Sequence, residues 1–225
     1  MSCAARFNSK PKQCHATAVE TIIRYLKKTQ DRGLIINFDG TLDLDAYCDA
    51  DFAGLYKCEA EDDPTGGRSR GGYVIYLGNV PIMWKSSLLS CITLSTMEAE
   101  YVQLSRTMTI LLGLKNMLEE LCPKLGLTNP DPTIRSTLFE DNSAALTLAT
   151  QQNITNRTRY LHQRWHHFWE HVHRPQDGPS KDDHDWSDGK IHIKKCSTDE
   201  MRADATTKGQ VRAKFEANRK LLNGW

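Results

Sequence analysis

The chain has 225 residues, 39% hydrophobic and 25% charged, with 29 basic and 28 acidic residues that nearly cancel at a net charge of +1. That length can bury a core as one domain with appendages or a domain and a half, and the near-neutral balance leaves any attraction to nucleic acid to a local patch. No stretch approaches the ~20 apolar residues of a membrane span and no apolar leader opens the chain, which argues against membrane insertion and secretion.

In chain order, residues 15–29 read as an amphipathic helix built on Ala16, Val19, Ile22, Ile23 and Leu26, ending in Lys27 and Lys28 and closed by Gly33. It has no apolar partner before it, as if it continued a longer protein. Residues 34–38 are short and β-branched, and Asp39-Gly40 is a hairpin signal. From Leu42 the chain alternates: Leu42, Leu44, Ala46, Cys48, Ala50 and Phe52 share one strand face, and Asp43, Asp45, Tyr47, Asp49 and Asp51 the other. Lys57 to Gly72 reads as a loop. Tyr73 to Leu77 reads as a strand turned at Gly78-Asn79 into Pro81 to Lys85, with a further strand over Leu88 to Leu94.

A long helix starts at Ser95. Ser95 followed by Glu98 is a capping box, and Met97, Tyr101, Leu104, Met108, Leu111, Leu118 and Leu121 form the stripe that packs on a sheet. At ~100° per residue, Glu98 faces water while Glu100 leans inward, about 60° from the stripe. An inward carboxylate is costly unless something positive binds it, and no Lys or Arg lies one turn away, so the pattern points to other acids and a metal. After a proline-containing linker from Pro123 to Pro132, Thr137 to Phe139 is a short buried strand ending at Glu140-Asp141-Asn142. Ser143 to Thr150 and Thr158 to Val172 read as helices, 173–190 as an inserted loop, and Ile191 to Lys195 as a strand. A helical run from Thr198 carries Asp204 and Lys208, and Val211 to Leu222 is a final helix. This order fits a mixed sheet covered by helices.

The acids stand out by position: one on the first long strand, Glu100 in the long helix, Asp141 at a strand end and Asp204 late in the chain. Hard oxygen ligands of this kind suit Mg²⁺, and two ions about 3.5–4 Å apart can clamp the attacking and leaving oxygens of a phosphodiester. Strand periodicity does not choose between Asp49 and Asp51, which share a face. Glu140 competes with Asp141 but points to the other face. The seven cysteines, odd in number and without a CxxC pair, read as reduced and intracellular.

Five ordered blocks carry a resemblance: Tyr47-Cys48-Asp49-Ala50-Asp51-Phe52-Ala53-Gly54, Ser69-Arg70-Gly71-Gly72-Tyr73-Val74, Leu94-Ser95-Thr96-Met97-Glu98-Ala99-Glu100-Tyr101, Glu140-Asp141-Asn142-Ser143-Ala144-Ala145 and Ala203-Asp204-Ala205-Thr206-Thr207-Lys208. The sequence resembles the ribonuclease H domain of copia-type retrotransposon Pol polyproteins, and residues 15–33 resemble the tail of the reverse transcriptase that precedes it there. The resemblance implies an α/β ribonuclease H-like fold with a mixed five-stranded sheet covered by helices. It divides the chain into a reverse-transcriptase tail (1–40), the ribonuclease H-like domain (41–210, with 173–190 inserted) and a C-terminal helix (211–225). It implies two Mg²⁺ ions, with Mn²⁺ as substitute, held by Asp49, Glu100, Asp141 and Asp204. Asp49 would bridge both, Glu100 and Asp141 would hold the leaving-group ion, and Asp204 the ion that activates water. The implied partners are an RNA/DNA hybrid, whose RNA strand is cut during reverse transcription, and the upstream reverse transcriptase. The implied location is the cytoplasm, including virus-like particles.

Ser95 and Asn142 read as helix caps or as contacts to the hybrid, and His166 as a proton shuttle or release aid near the metals. Family members read R-T-K-H-I-D-x-x-Y-H where this chain has Arg157-Thr158-Arg159-Tyr160-Leu161-His162-Gln163-Arg164-Trp165-His166, so His166 keeps its place while the usual His and Asp have become Tyr160 and His162. Lys208 reads as a solvated helix residue. Two other functions fit parts of the pattern. One is a non-catalytic remnant that binds hybrid or partner proteins. The other is a His-rich metal-binding module, in which His162/His166 and His167/His171 chelate zinc from one helix face.

Overall fold

The computed structural model describes residues 2–54, 65–127, 134–156, 158–161, 163–174 and 188–223. Its elements are α1 (Ser2–Ala5), α2 (Gln13–Lys28), β1 (Leu44–Asp51), β2 (Arg70–Leu77), β3 (Val80–Leu88), α3 (Thr96–Lys124), β4 (Ser136–Glu140), α4 (Ser143–Gln151), β5 (His192–Lys195), α5 (Asp204–Thr207) and α6 (Arg212–Asn223). The strands form one sheet in the order β3-β2-β1-β4-β5. β1, β2 and β3 pair antiparallel, the last two through the Gly78-Asn79 turn with Gly78 at φ +57°. β4 runs parallel to β1, and β5 parallel to β4. This is the mixed, ribonuclease H-like sheet that the resemblance implies.

Both faces of β1 are covered, which is why it is buried almost end to end. Leu44, Ala46 and Cys48 face a core shared with Tyr101, Leu104, Met108 and Leu111 of α3 and with Leu138, Ala145 and Phe168. Tyr47 on the opposite face joins Val74, Tyr76, Met201 and Ala203. The stripe of α3 is thus buried over its first four turns. Leu121 beyond it is exposed. The helix ends with Gly126 at φ +70° and the Leu127 N–H bonded to the Cys122 carbonyl at 2.9 Å, so it runs past the expected end at Leu121 and takes in Pro123.

Two neighbouring glycines let helices approach both faces of β2. A Cβ on Gly71 would collide with the Gln103 side chain of α3, and one on Gly72 with Thr206 of α5. Gly72 pairs with Asp49. The closeness of α5 to the strand that carries Asp49 therefore depends on a missing side chain.

Several expectations are corrected. Residues 34–38 form no strand: Ile36 and Phe38 are exposed, and the segment lies against the C-terminal helix, with the Ile35 N–H bonded to the Asn223 carbonyl at 2.9 Å. β2 begins at Arg70, inside the expected loop, because Arg70 and Gly71 pair with both β1 and β3. Residues 55–64 of that loop, 128–133 of the linker and 175–187 of the insertion lie outside the described residues. No strand follows Leu88. The chain leaves the sheet there, held by the Leu89 N–H to the Ser69 carbonyl and a 2.7 Å hydroxyl contact between Ser69 and Thr93. The expected helix over 158–172 appears as two short 3-10 turns, Gln163–His166 and Trp169–His171. Bonds from His166 and Trp169 to Tyr101 of α3 fix the segment there instead of an i to i+4 ladder. The helical run from Thr198 shrinks to the four residues of α5, after a turn over residues 198–200. Glu98 is buried, not solvated: its carboxylate accepts the Leu94 N–H at 2.6 Å while Ser95 Oγ accepts the Glu98 N–H at 3.1 Å.

Helix α2 forms as expected, yet no residue of it is buried, and Val19, Ile23 and Leu26 are exposed. Its described ring contacts are His15 stacked on Phe7 and Tyr25 edge-on to Phe215 of α6.

Gly72→Ala is expected to lower stability by roughly 1–3 kcal/mol through overpacking against Thr206, read from urea unfolding midpoints. An unchanged midpoint would show that α5 can move away at no cost.

Candidate active site

Strand register brings the acids together. Tyr47 pairs with Phe139 in the parallel β1/β4 ladder, so two residues further on Asp49 comes level with Asp141, just past the end of β4. Glu100, fifth residue of α3, leans inward as its helical phase predicts. Carboxylate oxygens of Asp49, Glu100 and Asp141 lie within 4.8 Å of one another. Asp51, the other candidate on the Asp49 face, pairs with Arg70 at the strand end and folds over Gly54. It is not in this group.

Asp204 stands next to the trio and is joined to it by a lysine. Lys208 Nζ lies 3.0 Å from Asp49 Oδ1 and 3.0 Å from Asp204 Oδ1. Lys214 Nζ meets Asp204 Oδ2 at 2.5 Å, and the Thr207 hydroxyl donates to Asp49 Oδ2. Lys208, Thr207 and Lys214 are the residues that sequence reasoning missed. For Lys208 the signal was present, since Asp204 and Lys208 are spaced i, i+4; no local pattern marks Lys214, which lies on another helix.

The electrostatics follow from burial. Glu100 is pushed up to about 11 by desolvation, then by the nearby Glu140, Asp49 and Asp141 carboxylates. Burial also raises Glu140 to about 8, against the bonds it accepts from the Asn142 N–H and the Cys48 thiol. The bond to Cys48 agrees with a Glu140 side chain on the face opposite Asp49. Burial raises Asp49 in spite of Thr207 and Lys208. Burial works against the Lys208 ammonium, but Asp49 and Asp204 outweigh it and hold the lysine charged above its ordinary range.

The donor set fits a hard divalent cation. It offers anionic oxygens from three separate segments, and Glu100 Oε2 is buried with no hydrogen-bond partner. Such an orphaned oxygen costs free energy unless a proton or a cation satisfies it.

The other candidates are placed elsewhere. Ser95 caps α3, and Asn142 caps α4, its Oδ1 accepting the Ala144 and Ala145 N–H groups at 3.0 and 3.1 Å. His166 is buried in a chain of bonds to α3: Trp169 Nε1 donates to the Tyr101 hydroxyl at 2.8 Å, which lies 2.7 Å from His166 Nδ1. Burial lowers the His166 pKa. His167 and His171 do not share a helix face, since the segment is broken into two 3-10 turns. His167 contacts Ser105 and Thr109 of α3 through its two ring nitrogens, and His162 lies outside the described residues.

No family model matches the chain. It is 30% identical over 218 residues to the retrovirus-related Pol polyprotein from transposon TNT 1-94 of Nicotiana tabacum, which covers 97% of this chain and 14% of that protein. It is 29% identical over 212 residues to the Pol polyprotein from transposon RE1 of Arabidopsis thaliana, covering 94% of this chain and 12% of that protein. The chain therefore spans about an eighth of the length of these relatives. Among solved structures it is similar to the N-terminal RNase H domain of a Mycobacterium tuberculosis protein fused to maltose binding protein. The TM-score is 0.36 at 11% identity, over 80% of this chain and 98% of that one.

Two outcomes follow for the ion-free chain. Glu100 and Glu140 titrate above their ordinary value of 4.5 in the folded state, so the folded chain binds more protons than the unfolded chain from about pH 4.5 to 8 and beyond. Stability in EDTA is therefore expected to be greatest at the acid end of that window and to fall as pH rises through it. Glu100→Gln should flatten the fall, as read from urea unfolding at pH 5 and pH 8. Lys208→Met is expected to destabilise the chain by about 2 kcal/mol in EDTA, since it strips charged hydrogen bonds from two buried aspartates, and by less in Mg²⁺.

Proposed function

We propose that this chain, whose homologues are retrovirus-related Pol polyproteins of copia-type transposons, is a ribonuclease H that cuts the RNA strand of RNA/DNA hybrids during reverse transcription. The observation that carries the reading is the convergence of Asp49, Glu100 and Asp141, with a buried Glu100 oxygen that has no hydrogen-bond partner, in a ribonuclease H-like sheet.

Asp49, Glu100 and Asp141 would hold divalent ions, Mg²⁺ or in its place Mn²⁺, with Asp204 completing the set. Bound there, such ions supply Lewis-acid polarisation of the phosphodiester and a water acidic enough to attack at neutral pH. The protein's own part is positioning and charge. Thr207 fixes one Asp49 oxygen and leaves the other facing Lys208. With a cation held there Glu100 would ligate as the carboxylate, its proton lost to solvent. Lys208, which spans Asp49 and Asp204 in the ion-free chain, would then be available to a substrate phosphate. Glu140, satisfied by Asn142 and Cys48, stays out of the ligand set.

In this reading residues 1–40 are the tail of the upstream reverse transcriptase, and the exposed apolar residues of α2 are the surface that meets it. Residues 41–210 are the nuclease domain and 211–225 its closing helix. No helix among the described residues is long and apolar enough to cross a membrane. A cytoplasmic location, including virus-like particles, belongs to the same proposal.

The test is cleavage of a labelled RNA/DNA hybrid by the purified chain in Mg²⁺, in Mn²⁺ and in EDTA. Cutting of the RNA strand alone is expected, abolished by EDTA and by Asp49→Asn, and retained in His166→Ala if its folding is unchanged. A folded chain that binds Mg²⁺ and leaves the hybrid intact would overturn catalysis in favour of a binding remnant.

A further inference from the structure

A second cluster of metal-ligating side chains lies well away from the acids. The chain passes Val172 and later returns beside it at Ile191, where the two residues form a parallel bridge. The Ile191 N–H bonds to the His171 carbonyl at 2.9 Å and the His173 N–H to the Ile191 carbonyl at 3.0 Å. This clamp sets His173 next to His192, the first residue of β5. Their rings stack with centroids 4.7 Å apart and planes at 18°. Asp188 closes the group. Its Oδ1 is fixed by the Lys190 N–H at 2.9 Å, and its Oδ2 lies 2.6 Å from His173 Nδ1. One ligand atom from each of His173, Asp188 and His192 lies within 4.8 Å of the other two.

We propose that His173, Asp188 and His192 form a second metal site, for a transition-metal dication of the zinc class, separate from the acidic cluster. Two imidazoles and one carboxylate are the mixed nitrogen and oxygen donors that zinc accepts, whereas Mg²⁺ prefers oxygen alone. Position separates the sites. His192 pairs with Thr137 of β4, four residues before Asp141, and so lies about 13 Å from it along the strand. Asp188 is held below its ordinary pKa: burial opposes this, but the bonds from His173 and from the Lys190 amide outweigh it, which keeps the carboxylate in the ligating form. In the ion-free chain His173 Nδ1 and Asp188 Oδ2 are hydrogen-bond partners. An ion taking both atoms replaces that hydrogen bond, with the imidazole ligating through an unprotonated Nδ1, and the two ligand atoms separate to roughly 3.3 Å, the edge of a tetrahedron with bonds near 2.0 Å. Three protein ligands leave a fourth position for water. The ion would tie the chain at 173 to its return at 188–192, and so anchor the edge strand β5.

The experiment titrates the full chain, stripped with EDTA, with Co²⁺ and follows the visible absorption of four-coordinate cobalt, which zinc should then displace. One saturable band is expected, lost in His173→Ala, His192→Ala and Asp188→Asn, and kept in Asp49→Asn and His167→Ala. His192 is buried and its replacement threatens folding, so Asp188→Asn decides. Asp188 is exposed, and an asparagine keeps an oxygen for the Lys190 N–H while losing the charge. A folded chain that gives no band overturns the site, as does a band that survives Asp188→Asn.

Discussion

Burying negative charge at the end of β1 is the constraint on which the rest of the molecule turns. Asp49 and Glu100 are almost wholly withdrawn from water, and Asp141 and Glu140 add two more carboxyls at the same place. In an interior of low dielectric such a group is tolerated only if protons, fixed donors or cations neutralise it. Each surrounding device answers that need. Thr207 donates to Asp49, Lys208 spans Asp49 and Asp204, and Lys214 takes the remaining oxygen of Asp204. Glu140 has the Asn142 amide and the Cys48 thiol, and Glu100 keeps its proton.

The scaffold around this charge is rigid where charge must be placed and loose elsewhere. Asp49 and Asp141 come from the β1/β4 pair and its end, Glu100 from the first turns of the longest helix, and Asp204 from α5. The apolar stripe of α3 is buried only while it lies over the sheet. Past Leu111 the helix carries mixed contacts, including a pair between Lys115 and Glu119, and then exposed leucines. The exposed face of α2 and the exposed segment 34–38 belong to a different problem, since they contribute almost nothing to the core that holds the site.

How much of this could be read from the sequence depended on whether the signal was local. The period of the α3 stripe gave the inward lean of Glu100, and the alternation of β1 placed Asp49 on the right face. Neither pattern says which strands pair. Only the family resemblance chose Asp49 over Asp51; the physical difference between them is register, which depends on partners far away in the chain. The short strand at 34–38 failed because β-branched residues form a strand only where an edge is available to pair with. The helix over 158–172 failed because side-chain bonds to Tyr101 outweighed local helical preference. Lys208 was misread for the same reason: a lysine in a polar run looks solvated unless the strand it folds against is known. The histidines show both sides of this. Their number was plain, yet the pair brought face to face, His173 and His192, is separated by 18 residues and meets only through a backbone bridge.

The lysine between Asp49 and Asp204 also sets the order of assembly. A metal site made only of acids can close without ions only by taking up protons, because ionised carboxylates repel one another. Here the chain carries a cation on its own tether, so the acids can gather during folding whether or not ions are present. An arriving ion then does not fill an open cage. It competes with an ammonium that cannot diffuse away, and occupancy depends on the balance between the two as well as on the number of ligands. The same tether that would let the acids gather without metal would keep the proposed centre shut when metal is scarce.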